Sequence, residues 1–182
     1  MSFEESTRDS MNPHAPILVA EALINDVVAT HHAYLRRQLP RIDSVAGDII
    51  GFGGADEPVL TEIRQLVSGL RACIEQQLDR EEQQLFPMLI RLEQQTQVTR
   101  CHAGMIRSRI MMAERDLARI RGVIRRLADL AEEHLSPEGS CEACHELLAI
   151  ARAMLLDLAE HTRKESELLF PWAVEREAAL VR

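Results

Sequence analysis

At 182 residues the chain is long enough for one domain with a sizeable core. Its formal net charge of −8 argues against the basic stripe that phosphate backbones attract, so no nucleic-acid partner is expected. Aromatics are only 3% and Leu, Ala, Ile, Arg, Glu and Gln dominate, a balance that favours helices over strands and implies an all-α domain.

In chain order, residues 1–16 read as a polar arm closed by Pro13 and Pro16. A first helix is predicted from about Ile17 to Leu39, with Ala20, Ile24, Val28 and Leu35 on one face. Pro40 and the glycine-bearing stretch 47–58 should end it. The second helix should start at Glu57-Pro58, where proline is tolerated, and run to about Glu93. Pro87 inside it should kink it or start a new segment. A third helix is expected from about Thr96 to Leu135, with Met105, Met111 and Met112 either packing the core or lining a gas channel. After the break at 136–139, a fourth runs from about Cys141 to Glu177 and is interrupted or kinked at Pro171.

Four long helices over residues 17–178 predict an up-down-up-down four-helix bundle. A bundle fragment completed as a homodimer is the alternative. No apolar run is long enough to cross a bilayer, so no membrane partner is expected. The acidic, polar start resembles no secretory signal, and a cytoplasmic protein with reduced thiols is expected. Cys73, Cys101, Cys141 and Cys144 then read as thiols or ligands. The Cys141-x-x-Cys144-His145 spacing matches covalent haem attachment. Without an export signal it reads instead as the start of the fourth helix, with a small zinc site as a minor alternative.

An internal repeat carries the functional reading. At an offset of 84 residues, Glu81, Leu85, Phe86 and Pro87 recur as Glu165, Leu169, Phe170 and Pro171. His161 stands four residues before Glu165, which puts imidazole and carboxylate one turn apart on one helix face. Gln77 and Glu81 repeat that spacing, while His32 and His102 lie on apolar faces of the first and third helices. Burying such groups alone costs several kcal/mol for an ionised carboxylate. A central cation would satisfy them together, and mixed imidazole and carboxylate donors suit iron, manganese or zinc. A solvated His–Glu pair is the bland alternative. His31, a neighbour of His32, should face partly outward, because adjacent helical residues point about a hundred degrees apart.

These motifs resemble a known family. His161-Thr-Arg-Lys-Glu165 with Leu169-Phe170-Pro171, Asp79-Arg80-Glu81-Glu82 with Leu85-Phe86-Pro87, and His31-His32-Ala-Tyr-Leu-Arg36-Arg37-Gln38-Leu39-Pro40 are similar to the motifs of hemerythrin-like cation-binding domains. They are most like those of bacterial iron-centre repair proteins. The resemblance implies a bundle with non-haem iron, one or two ions. Carried over by position, it implies His32, His102 and His161 as nitrogen ligands and Glu81 and Glu165 as bridging carboxylates. It also implies a part in oxygen, nitric oxide or oxidative-stress physiology or in iron–sulfur cluster repair. The partners it implies are a small diatomic ligand or an iron–sulfur client protein. Gln77 stands where histidine is usual and Ile106 where oxygen carriers have a second one, which implies unequal metal positions. Two other readings are a di-iron carboxylate oxidoreductase and a metal-free interaction module.

Overall fold

The computed structural model describes residues 19–52, 56–95, 104–133 and 142–180. They form four long helical runs, Val19 to Phe52, Glu57 to Gln94, Met105 to Glu133 and Glu142 to Leu180, with no strand among the described residues. Each run packs on its neighbours in sequence and the first closes onto the fourth, giving the up-down-up-down bundle. The antiparallel order is visible in cross-helix bonds. Backbone N–H groups of Ala20 and Glu21, at the start of the first helix, donate to the Glu93 carboxylate at the end of the second. At the start of the third, Gly104 N–H donates to Glu177 near the end of the fourth. Gly104 has φ +85°, a conformation glycine adopts without strain.

Two expected breaks fall inside helices. The first helix passes through Pro40 and on to Phe52. An interior proline costs about 3 kcal/mol, but the continuation buries Ile42, Val45, Ala46 and Ile49 in the core. Each such side chain is worth roughly 1.5–3 kcal/mol for the larger aliphatics, so burial wins. Gly47 and Gly51 are simply carried along in the helix. The second helix begins at Glu57 with Pro58 in its first turn, as the sequence predicts. The expected polar arm at 1–16 lies outside the described residues.

At Pro87 and Pro171, as expected, the α-helix is interrupted and a new α segment starts, Phe86–Gln94 and Phe170–Leu180, while each run stays helical throughout. Each proline is preceded by a single wide π turn, Glu81–Leu85 and Lys164–Leu169. There the N–H groups of Phe86 and Phe170 reach back five residues to the carbonyls of Glu81 and Glu165. Widening the turn makes room for the proline ring and absorbs its missing N–H. A third π turn, Val28–His32, interrupts the first helix, and Ala33 N–H reaches Val28. No proline follows closely here. The Thr30 hydroxyl donates to the Asp26 carbonyl at 2.6 Å instead, satisfying a carbonyl in the disturbed ladder.

The apolar interior is split into two clusters. One holds Leu35, Leu78, Leu117 and Leu158, and the other Val27, Leu85, Ala113 and Leu169. Met105, Met111 and Met112 belong to neither: all three are exposed, which corrects the expectation that they pack the core. They sit on the outer face of a helix whose inner face is Ile106, Ile110, Ala113 and Leu117.

Candidate metal centre

The layer between the two clusters is polar. His32 comes from the first helix, Gln77 and Glu81 from the second, and His161 and Glu165 from the fourth, each at most 1% exposed. Three π turns meet at this level: His32 ends one, Glu81 begins another and Glu165 lies in the third. A π turn re-aims the side chains on either side of it, which is why such turns gather at functional sites.

One donor atom each from His32, Glu81, His161 and Glu165 falls within a mutual 4.8 Å. His32 Nε2 lies 3.3 Å from Glu81 Oε2, and His161 Nε2 lies 3.3 Å from Glu165 Oε1. The two imidazoles meet edge to face with centroids 5.0 Å apart. None of these four atoms, nor Glu165 Oε2, has a hydrogen-bond partner although all are buried. Polar atoms are rarely left this way, because each costs about 1–3 kcal/mol. Two nitrogens and two carboxylates converging in a buried layer fit a divalent first-row cation. The donor set therefore suits the iron expected from the sequence.

The protonation of the four side chains shows the same pressure. Burial drives the Glu165 carboxyl up to about 8. Burial, reinforced by Glu165, drives Glu81 up to about 7. Burial pushes His161 down to about 4. Burial also disfavours the His32 cation, but its contacts with Glu81 and Glu82 prevail and its pKa is raised.

A second layer of contacts orients the ring of His32. Its Nδ1 lies 2.7 Å from Glu82 Oε1, and the same oxygen accepts from Arg36 Nη1 at 2.7 Å. A carboxylate there takes the Nδ1 hydrogen and leaves the Nε2 lone pair facing the cluster, the usual support of a metal-bound imidazole. Glu82 is a residue the sequence reading quoted in a motif but gave no role. Its signal was its place beside Glu81 in a helix that then widens. His31 is buried, contrary to the expectation that it faces outward. The wide turn brings both neighbouring histidines to the inner side. His31 stacks parallel on His161, centroids 5.5 Å apart, and its Nδ1 meets Asp157 Oδ1 at 2.8 Å.

Gln77 is at the site, and its amide nitrogen donates to Glu81 and, at 3.5 Å, to the Ala113 carbonyl. Ala113 thus brings its backbone carbonyl from the third helix to this layer. His102, expected from that helix, lies outside the described residues, as do Cys101 and Cys141. Cys144 is buried and His145 exposed, so the two point to different surroundings.

Sequence comparison places the chain among known proteins. A family profile described as the Hemerythrin HHE cation binding domain matches residues 23–173. The iron-sulfur cluster repair protein YtfE of Edwardsiella ictaluri is 28% identical over 148 residues, covering 81% of this chain and 63% of that protein. The protein of the same name from Yersinia pseudotuberculosis is 28% identical over 158 residues, covering 85% and 66%. The chain therefore spans slightly less than two thirds of the length of these curated relatives. No solved structure matches. The profile spans all four helices and includes every residue of the buried cluster, and the chain belongs to the hemerythrin HHE cation-binding family, whose domains hold non-haem iron.

Proposed function

We propose that this chain is a non-haem iron protein of the stress response, working in iron–sulfur cluster repair as the names of its relatives indicate for them. The observation that carries the reading is the buried set of His32, Glu81, His161 and Glu165, four donors with unpartnered atoms in one polar layer between two apolar clusters. Bound iron would supply redox chemistry and an open position for a small diatomic molecule. The chain's own residues hold it. His32 is aimed by Glu82, Glu81 is steadied by the Gln77 amide, and Glu165 offers two free oxygens.

In this reading Gln77 acts on the metal through Glu81. The second helix contributes one strong ligand where histidine would add another, and that suits delivery of iron to a client protein better than its permanent retention. The working unit is the bundle over 17–178, and its setting is the cytoplasm, where iron–sulfur clients and reduced thiols coexist. Among the described residues no helix is long and apolar enough to cross a membrane.

The test is elemental analysis of protein purified without added metal. Iron at one or two ions per chain is expected, and Glu165→Ala should remove most of it because that carboxylate reaches both sides of the cluster. Iron-free protein that also fails to take up ferrous ion under anaerobic conditions would refute the reading.

A further inference from the structure

The two imidazoles of the cluster are not held alike. His32 is fixed through its own ring, Nδ1 against Glu82. His161 has no such support: its Nδ1 is buried and makes no hydrogen bond. The torsion that turns an imidazole has broad minima, so a neighbour must set the plane of the His161 ring. His32 meets it only edge to face. Among the described residues, the ring that lies flat on it is His31, with an interplanar angle of 1° and centroids 5.5 Å apart.

His31 is itself clamped. It sits in the wide turn Val28–His32 of the first helix, and its Nδ1 lies 2.8 Å from Asp157 Oδ1. Asp157 stands on the fourth helix, one turn before His161. The contact therefore ties the first helix to the fourth beside the ring that needs support. It also carries a cost, because His31 Nε2 and Asp157 Oδ2 are buried without partners. Apolar side chains of similar volume would fill the space without that loss, so packing alone does not account for the pair.

We infer that His31 and Asp157 are positioning residues for His161: Asp157 fixes the His31 ring, and that ring lies against His161 and keeps Nε2 aimed at the cluster. The inference rests on the iron-binding reading above. The first helix thus governs both nitrogens of the cluster, supplying one on His32 and aiming the other across the bundle. Stacking acts through the flat face of the ring, so another flat ring at position 31 can replace histidine and an aliphatic side chain cannot.

The experiment compares the full chain with His31→Leu, His31→Phe and Asp157→Ala. Leucine fills the space without a flat face, and phenylalanine restores the face without a nitrogen. Ferrous and cobalt(II) affinities are read by chelator competition under anaerobic conditions. His31→Leu and Asp157→Ala should lower both about tenfold, and His31→Phe should stay within about threefold of the unsubstituted chain. In the cobalt(II)-loaded proteins, paramagnetically shifted proton resonances report each coordinated imidazole. Their number should be the same in His31→Phe as in the unsubstituted chain, while those of His161 move in His31→Leu and Asp157→Ala. Loss of a coordinated-imidazole resonance in His31→Phe makes His31 a ligand and overturns the inference, as does an affinity that phenylalanine fails to keep. In the metal-free proteins, the ring protons of His161 should show a ring-current displacement that phenylalanine retains and leucine abolishes. Identical His161 shifts in all the proteins overturn the inference as well. Should His31→Leu fail to fold, Asp157→Ala carries the same comparison. A chain that takes up no iron would strike the proposed function instead, and the metal-free spectra would still decide whether His31 sets the His161 ring.

Discussion

At the scale of single residues, the site depends on which atom of each ring is free. Glu82 holds His32 through Nδ1, and Arg36 in turn holds the Glu82 carboxylate below its usual range despite its partial burial. Glu82→Gln keeps the shape but removes the charge that fixes the tautomer. Metal affinity should drop about 10–100-fold, with little change in helix content, as read by competition with a chelator and by circular dichroism. An unchanged affinity would mean that the ring is oriented by packing alone. The histidine–glutamate spacing and the repeat singled out Glu81, His161 and Glu165, and an apolar helix face singled out His32, four residues that the fold brings together. The inward turn of His31 was not legible in the sequence, because it depends on one wide turn that no local composition announces. Ala113 was equally silent. An alanine on an apolar face reads as ordinary packing until its position beside Gln77 is known.

At the scale of elements, helix existence was readable and helix continuity was not. Proline rules treat each proline by itself, whereas Pro40 sits exposed on a helix whose opposite face carries Ile42, Val45 and Ile49 into the core. The helix tolerates Pro40 at a cost, so Pro40→Ala should stabilise the protein by about 1–3 kcal/mol. Urea denaturation would show it as a higher midpoint with an unchanged slope. No gain would mean that proline's restriction of the unfolded chain offsets the recovered hydrogen bond. The prolines of the repeat behave differently. Pro87 and Pro171 each follow a wide turn that begins at or beside a candidate ligand, so the Leu-Phe-Pro signature marks the re-aimed backbone as well as the duplication.

At the scale of the whole molecule, the polar layer makes metal-free stability depend on pH. Glu81 and Glu165 have folded values near 7 and 8 against about 4.5 unfolded, so above pH 4.5 the folded state holds protons that the unfolded state has released. His32 is also raised and acts in the same direction above 6.5. His161, lowered to about 4, acts oppositely, but only between 4 and 6.5. Between pH 6.5 and 8 the folded state therefore binds more protons, and metal-free stability falls as pH rises. Metal binding needs those groups deprotonated and strengthens over the same range. Urea midpoints should thus fall from pH 6.5 to 8 for the metal-free protein and hold or rise for the loaded one. Parallel curves would place the ionisations elsewhere. The division of the core into two apolar clusters has a further consequence. With the layer between them empty, each half is a small cooperative unit joined to the other mainly by continuous helices, and either can open without the other. A cation bound across the layer ties helices from both halves to one point and merges the two units. Loading and losing iron would then change how much of the bundle opens at once, with the metal-free molecule the looser of the two.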